Sequence, residues 1–420
     1  MFNYKKIMLL LTLSSSLYAT DEISVDLRAL YVNYNYDNYF KNSEAFATSL
    51  KLGYKKNIFS NLEVGTTFGA IEEFGLNDMN KQAMTYIHSN VYTGDSRDTF
   101  TILHQAYLKY YNENNYLQIG RFEFNSPLIN SDDHYLLSNS FEGAIAKLVF
   151  DSSSVQFGHI SRMSGTWDAG YDGSTFQSMS KSPWMHKADV GENNWPNPYV
   201  SFGVENNGIS FVSYSYNDDK YKFQLWDYYA KELMNSIYTQ FDMKLDSFNF
   251  ALQYNSFDAV GQMKDHPSVN SEIDYKIFGA KIDTKIEDVN IALAYMGVSD
   301  DETAHLWGSW GGYPYFASGM MITYFDASLR DANVYSLNSN FSLMSCLDTT
   351  LHLGYYDLNK EYTKRDSANA PNGEDYMFTY GVSNTYSFND NLSFVIKLAG
   401  RKLDSENEAL LLRSILKYKF

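Results

Sequence analysis

Few residues of this 420-residue chain have chemistry to offer, and they point away from bond-making. Eight histidines (His88, His104, His134, His159, His186, His266, His305 and His352) are scattered without the short spacing that would hold a metal. Cys346 stands alone, so it forms neither an intramolecular disulfide nor a metal site by itself. No G-x-S-x-G occurs, and His134 beside Asp133 has no nucleophile set in a motif. The reading is of a chain that is not an enzyme and takes no cofactor or metal. The cations are better ordered. Lys397 and Arg401 are four apart in LSFVIKLAGR, Arg413 and Lys417 are four apart in LLLRSILKYKF, and Arg28 follows Asp26 by two in SVDLRALYV. Even spacing stacks such charges on one side of an extended chain. Fixed there, they set a field that orients and filters charged solutes.

Extended chain is what the surrounding sequence provides. SIYTQFDMKL puts Ile237, Thr239, Phe241 and Met243 on one face and Tyr238, Gln240, Asp242 and Lys244 on the other. FNFALQYN and LSFVIKLAGR alternate in the same way, the pattern of strands with one greasy and one wet face. Tight turns are expected at 57–61, 112–115, 151–154, 217–220, 246–247, 286–289, 346–349 and 389–391, with ENNG (205–208) assigned to a longer connection. Long polar segments lie between them at 72–98, 123–142, 164–208, 258–273, 299–332 and 358–375. All seven prolines fall in these long segments, so none interrupts a ladder.

Aromatic residues make up 17% of the chain, and the net charge is −17. No basic tract exists to neutralise phosphates, so nucleic acid is not an expected partner. Residues 1–19, MFNYKKIMLLLTLSSSLYA, carry two lysines, a short apolar run and small residues before Ala19, the layout of a secretory signal peptide. No later run approaches 18 apolar residues, which excludes spanning helices but not a barrel, whose strands show oil on alternate residues only. Residues 20–420 are therefore expected to form one all-β domain. It would be a single antiparallel transmembrane β-barrel of about 18 strands, with short periplasmic turns and long extracellular loops. Its closing strand ends at Phe420, because lipid tolerates no unpaired backbone at a seam. In that barrel Arg28, Lys397, Arg401, Arg413 and Lys417 share the inner face and form a basic wall across the seam.

The stretch IGRFEFNSPLINSDDHYLLSNSFEGAIAKL (119–148) resembles a signature of the OprD-like outer-membrane porin family, through Gly120, Arg121, Ser126, Pro127, Leu128, Asn130, Asp132, Asp133, Asn139, Ser140, Phe141, Glu142 and Gly143. Ser138 and Ser140 stand where that family usually has proline and threonine. WGSWGGYPYFASGMM (307–321) resembles a long-loop segment of the same family. The resemblance implies a passive, partly selective diffusion channel for small hydrophilic solutes and ions in the cell outer membrane. It implies that a loop around 123–142 folds inward as the constriction, with Arg121, Asp132, Asp133 and Glu142 as its charges. A basic ladder guiding carboxylate-bearing solutes belongs to the family, as does a C-terminal phenylalanine, here Phe420, read by the barrel-assembly machinery. Expected partners are outer-membrane lipids and small solutes, with the chain a monomer or homotrimer. The competing readings are a surface adhesin or receptor barrel and a barrel-type hydrolase.

Overall fold

The computed structural model describes residues 21–36, 43–74, 100–131, 136–164, 175–179, 207–264, 274–301, 310–318, 320, 329–361, 373–405 and 408–420. Residues 1–20, Asp132 and Asp133 lie outside them. Alternating sequence becomes strand throughout. The strands are β1 (Asp21–Tyr36), β2 (Ser43–Phe59), β3 (Leu62–Glu72), β4 (Phe100–Asn112), β5 (Asn115–Phe122), β6 (Ser140–Phe150), β7 (Ser153–Ser164) and the two-residue β8 (Gln177–Ser178). They continue as β9 (Ile209–Asn217), β10 (Tyr221–Ala230), β11 (Met234–Lys244), β12 (Asn249–Ala259), β13 (Asp274–Ile286) and β14 (Val289–Val298). The last are β15 (Asn333–Met344), β16 (Leu347–Asp357), β17 (Tyr376–Ser387), β18 (Leu392–Leu403) and β19 (Glu408–Lys419).

Each wall strand pairs antiparallel with its chain neighbours, β7 pairs β9 directly, and β19 returns to β1. The sheet has 19 strands, and setting aside β8, which hydrogen-bonds to the end of β7, leaves eighteen in a closed wall. The seam is tied at its last residue, where Val25 and Phe420 exchange both backbone hydrogen bonds at 2.8 Å.

All eight expected turns connect neighbouring strands at one rim, and ENNG precedes β9 inside a longer connection. Glu113, Asp151 and Glu287 take positive φ at the first central position of two-residue turns, the twist that closes a hairpin without splaying it. The opposite rim is less uniform than the sequence suggested. Two of its connections are short, 231–233 with three residues and 404–407 with four. At the first, Glu232 adopts φ 62° and closes the hairpin in three residues, a local conformation that a polar cluster does not reveal.

The faces sort as the alternation demands. Leu293 and Leu353 point outward and are both 56% exposed, whereas inward Tyr238 and Leu411 are 1% and 0% exposed. What buries the inner face is chain folded inside the barrel. One interior cluster joins Leu136 and Leu137 to Leu30, Val32, Leu411 and Ile415. The other gathers Phe124, Leu128 and Trp310 with Trp226 and Tyr228.

Candidate functional site: charged wall and interior loops

Strand register brings the five wall cations onto one face. Arg28 stands directly opposite Lys417 across the seam, and Lys397 opposite Arg413 across β18–β19. Arg401 is two inward steps further along β18, past Ala399. Their accessibility differs from an open wall. Lys397 and Lys417 are half-buried, but Arg28, Arg401 and Arg413 are buried at 2–4% exposure. Arg28 is also held by both oxygens of Asp26, at 3.0 and 2.7 Å.

Backbone kinks aim the other predicted pair. Gly120 has φ 122°, and a Cβ there would lie 2.2 Å from the Ala106 carbonyl. Its partner across β5–β6, Gly143, would meet the His159 carbonyl at 2.1 Å. Only glycine fits these paired positions. Beyond them Arg121 faces Glu142, Nε to Oε2 at 2.8 Å, and its guanidinium lies 4.2 Å from the Phe176 ring, which packs on the seam-side cluster. Arg121 and Glu142 thus neutralise each other.

The segment after β5 touches widely separated parts of the inner wall. On one side Tyr228 of β10 donates its hydroxyl to Ser126 at 3.0 Å and accepts from the Leu128 amide at 3.4 Å. On the other, the Leu136 carbonyl accepts from Ser49 of β2 at 2.7 Å. Residues 310–318 join from above. Trp310 donates its amide to the Leu128 carbonyl at 2.7 Å, and its own carbonyl accepts from the Asn130 amide at 3.0 Å. Gln253 of β12 holds this second loop twice, donating to the Pro314 carbonyl at 3.0 Å and accepting from the Phe316 amide at 2.8 Å. Tyr315 donates to Asn255 at 3.0 Å. Both stretches singled out by sequence therefore meet each other inside the barrel.

Sequence reasoning missed Lys51 and Glu123. Lys51 Nζ is 3.1 Å from Glu123 Oε1 and 3.2 Å from Ser138 Oγ, with Asp26 Oδ2 at 3.9 Å. The Ser138 hydroxyl also donates to Glu123. His104, buried, hydrogen-bonds the Ser138 carbonyl through Nε2 at 2.8 Å and turns Nδ1 toward Glu123 at 3.9 Å. Burial pushes the Glu123 carboxyl up, but Lys51, His104 and the Ser138 hydroxyl outweigh it and hold the group below the usual glutamate range. The available signal was only that Lys51 and Asp26 sit in wet registers of adjacent strands. Among the described residues, no group of three His, Cys, Asp or Glu side chains is placed to hold a metal.

In sequence, no family model and no curated protein matches this chain. In three dimensions the likeness is extensive. OpdO of Pseudomonas aeruginosa superimposes with a TM-score of 0.70 at 16% identity, covering 96% of this chain and 98% of that one. OccK9 (OpdG) of the same organism gives 0.73 at 14% identity, covering 95% and 98%. OccAB4 of Acinetobacter baumannii gives 0.71 at 15% identity, covering 97% and 100%. This chain has their fold. At such identities the shared property is the fold, and the charged groups must be judged in this molecule.

Proposed function

We propose that this chain is an OprD-like outer-membrane porin, a passive and partly selective diffusion channel for small hydrophilic solutes and ions. The observation that carries the reading is a closed eighteen-stranded wall, apolar outside, whose interior loop touches both β10 and β2. A wall of this size encloses more space than its own side chains fill, so selectivity belongs to the loop that crosses it. The segment 123–142 is the constriction, with Asp132 and Asp133 supplying further acid there and the Arg121–Glu142 pair bracing its two ends. Lys397 and Lys417 are the accessible cations of the basic wall, and Arg28, Arg401 and Arg413 act through their field. OpdK, of the same fold at 14% identity, has been crystallised with vanillate, an aromatic carboxylate. A basic sector facing an acidic loop suits that class of solute in this chain too. Phe420 is the mark read by the assembly machinery, and residues 1–19 are the export signal.

The test is electrical. In a planar bilayer the wild type is expected to conduct in discrete steps, and the double variant Lys397→Gln/Lys417→Gln is expected to shift its reversal potential toward cations. One charge acting through about 8 Å of water is worth about 0.5 kcal/mol. Two therefore shift the permeability ratio by about 1 kcal/mol, on the order of fivefold. A protein that inserts but never conducts defeats the porin reading. Conduction with an unchanged reversal potential in the double variant removes the wall from selectivity.

A further inference from the structure

The two ends of the 123–139 loop are gripped by the same few side chains. Glu123 leaves β5, and Ser138 returns toward β6. Lys51 of β2 reaches both, Glu123 at 3.1 Å and Ser138 at 3.2 Å, while Ser138 donates to Glu123 and closes the loop's neck. His104 of β4 holds the Ser138 carbonyl at 2.8 Å. Behind Lys51 stands Asp26, 3.9 Å away, itself 3.8 Å from Lys419 of the closing strand and doubly bonded to Arg28. The Lys51 side chain is 13% exposed and that of Glu123 34%, so water screens this pair in part.

We infer that Lys51 and Glu123 form a charge lock that holds the constriction loop against the seam side of the barrel and so fixes its width and charge. The inference rests on the porin reading for its consequence but not for its geometry. Hydrophobic packing anchors each stem to the wall separately, Phe124 against Phe211 and Trp226, and Leu136 and Leu137 in the cluster with Leu30 and Leu411, and the charge pair joins the two stems to each other. Among the described residues the two stems are tied by the ion pair with its Ser138 hydrogen bonds and by backbone bonds that Ser131 donates to Phe124 and accepts from Asn139. Lys51 also cancels the charge of Glu123, so the lock removes one acid from the solute's path. Breaking it from the lysine side frees an acidic group into the lumen, whereas breaking it from the glutamate side frees none. The two single variants therefore have opposite electrical signatures although both loosen the loop.

The experiment uses the full chain in nanodiscs, as wild type, Lys51→Met, Glu123→Gln and the double variant. Each single variant is expected to speed amide exchange over the loop, read at Phe124, Ser131 and Asn139, by about tenfold, the weight of one charged hydrogen bond. The double variant is expected to exchange no faster than the faster single one, because both remove the same contact. In the bilayer Lys51→Met shifts the reversal potential toward cations, whereas Glu123→Gln does not. Unchanged exchange in both singles, or strictly additive effects in the double, overturns the lock. Exchange reports the loop directly, so a wild type that fails to conduct defeats the porin reading while the lock is still read. Heat-modifiable migration checks folding, and the isosteric Glu123→Gln carries the test if Lys51→Met does not assemble.

Discussion

Glu123 shows what a single side chain can decide here. Its carboxylate faces Lys51 and His104 and accepts from Ser138, with Asp26 beyond Lys51. Burial alone would raise its pKa, and these partners lower it instead. A group whose folded pKa is depressed stabilises its contact above the unfolded value and loses that contribution as pH falls through the folded one. Loop protection in the wild type, corrected for intrinsic exchange, should therefore hold at neutral pH and fall in the acid range until it matches Glu123→Gln. That variant should show no such fall. Equal pH profiles for the two proteins would assign the transition to another group.

At the scale of elements, the interior is held by polar side chains reaching from strands to loop backbone. Gln253 satisfies a half-buried donor and acceptor of residues 314–316 at once. Replacing it with leucine orphans both groups, at about 1–3 kcal/mol for each one that water does not reach. Gln253→Leu should release the 310–318 loop, raising its amide exchange while the barrel still migrates as a folded species. The glycine pair makes a different demand. Gly120→Val should fail to assemble, since its Cβ has no room beside the Ala106 carbonyl and its φ disfavours any side chain. A correctly assembled, fully heat-modifiable Gly120→Val protein would refute that account of the kink.

For the whole molecule, closure is the governing fact. Removing Tyr418–Phe420 strips the pairing of Asp26 and Leu27 with β19 and both hydrogen bonds between Val25 and Phe420. Those backbone groups lose their partners at the rim and leave the ring open there, at about 1–3 kcal/mol for each one that water does not reach. The truncated chain should give little or no heat-modifiable barrel, whereas Phe420→Tyr, which keeps the backbone pairing, should assemble from denaturant like the wild type. Normal refolding yield of the truncated chain would show that the seam tolerates a gap.

Period-two alternation by itself determined which side chains face in and which out, because a strand has no other way to place them. It therefore fixed the shared face of Arg28, Lys397, Arg401, Arg413 and Lys417, while the short polar runs marked the turns at one rim and with them the count of about 18 strands. Motif residues marked the two segments that meet inside. Only the tertiary structure decided what those charges touch. Glu123 lies 72 residues from Lys51, and Leu128 lies 100 from Tyr228, with no local pattern linking either pair. Closing the ring and folding loops into it sets such distances, and this is why the buried state of three arginines and the grip on the loop's neck were invisible along the chain.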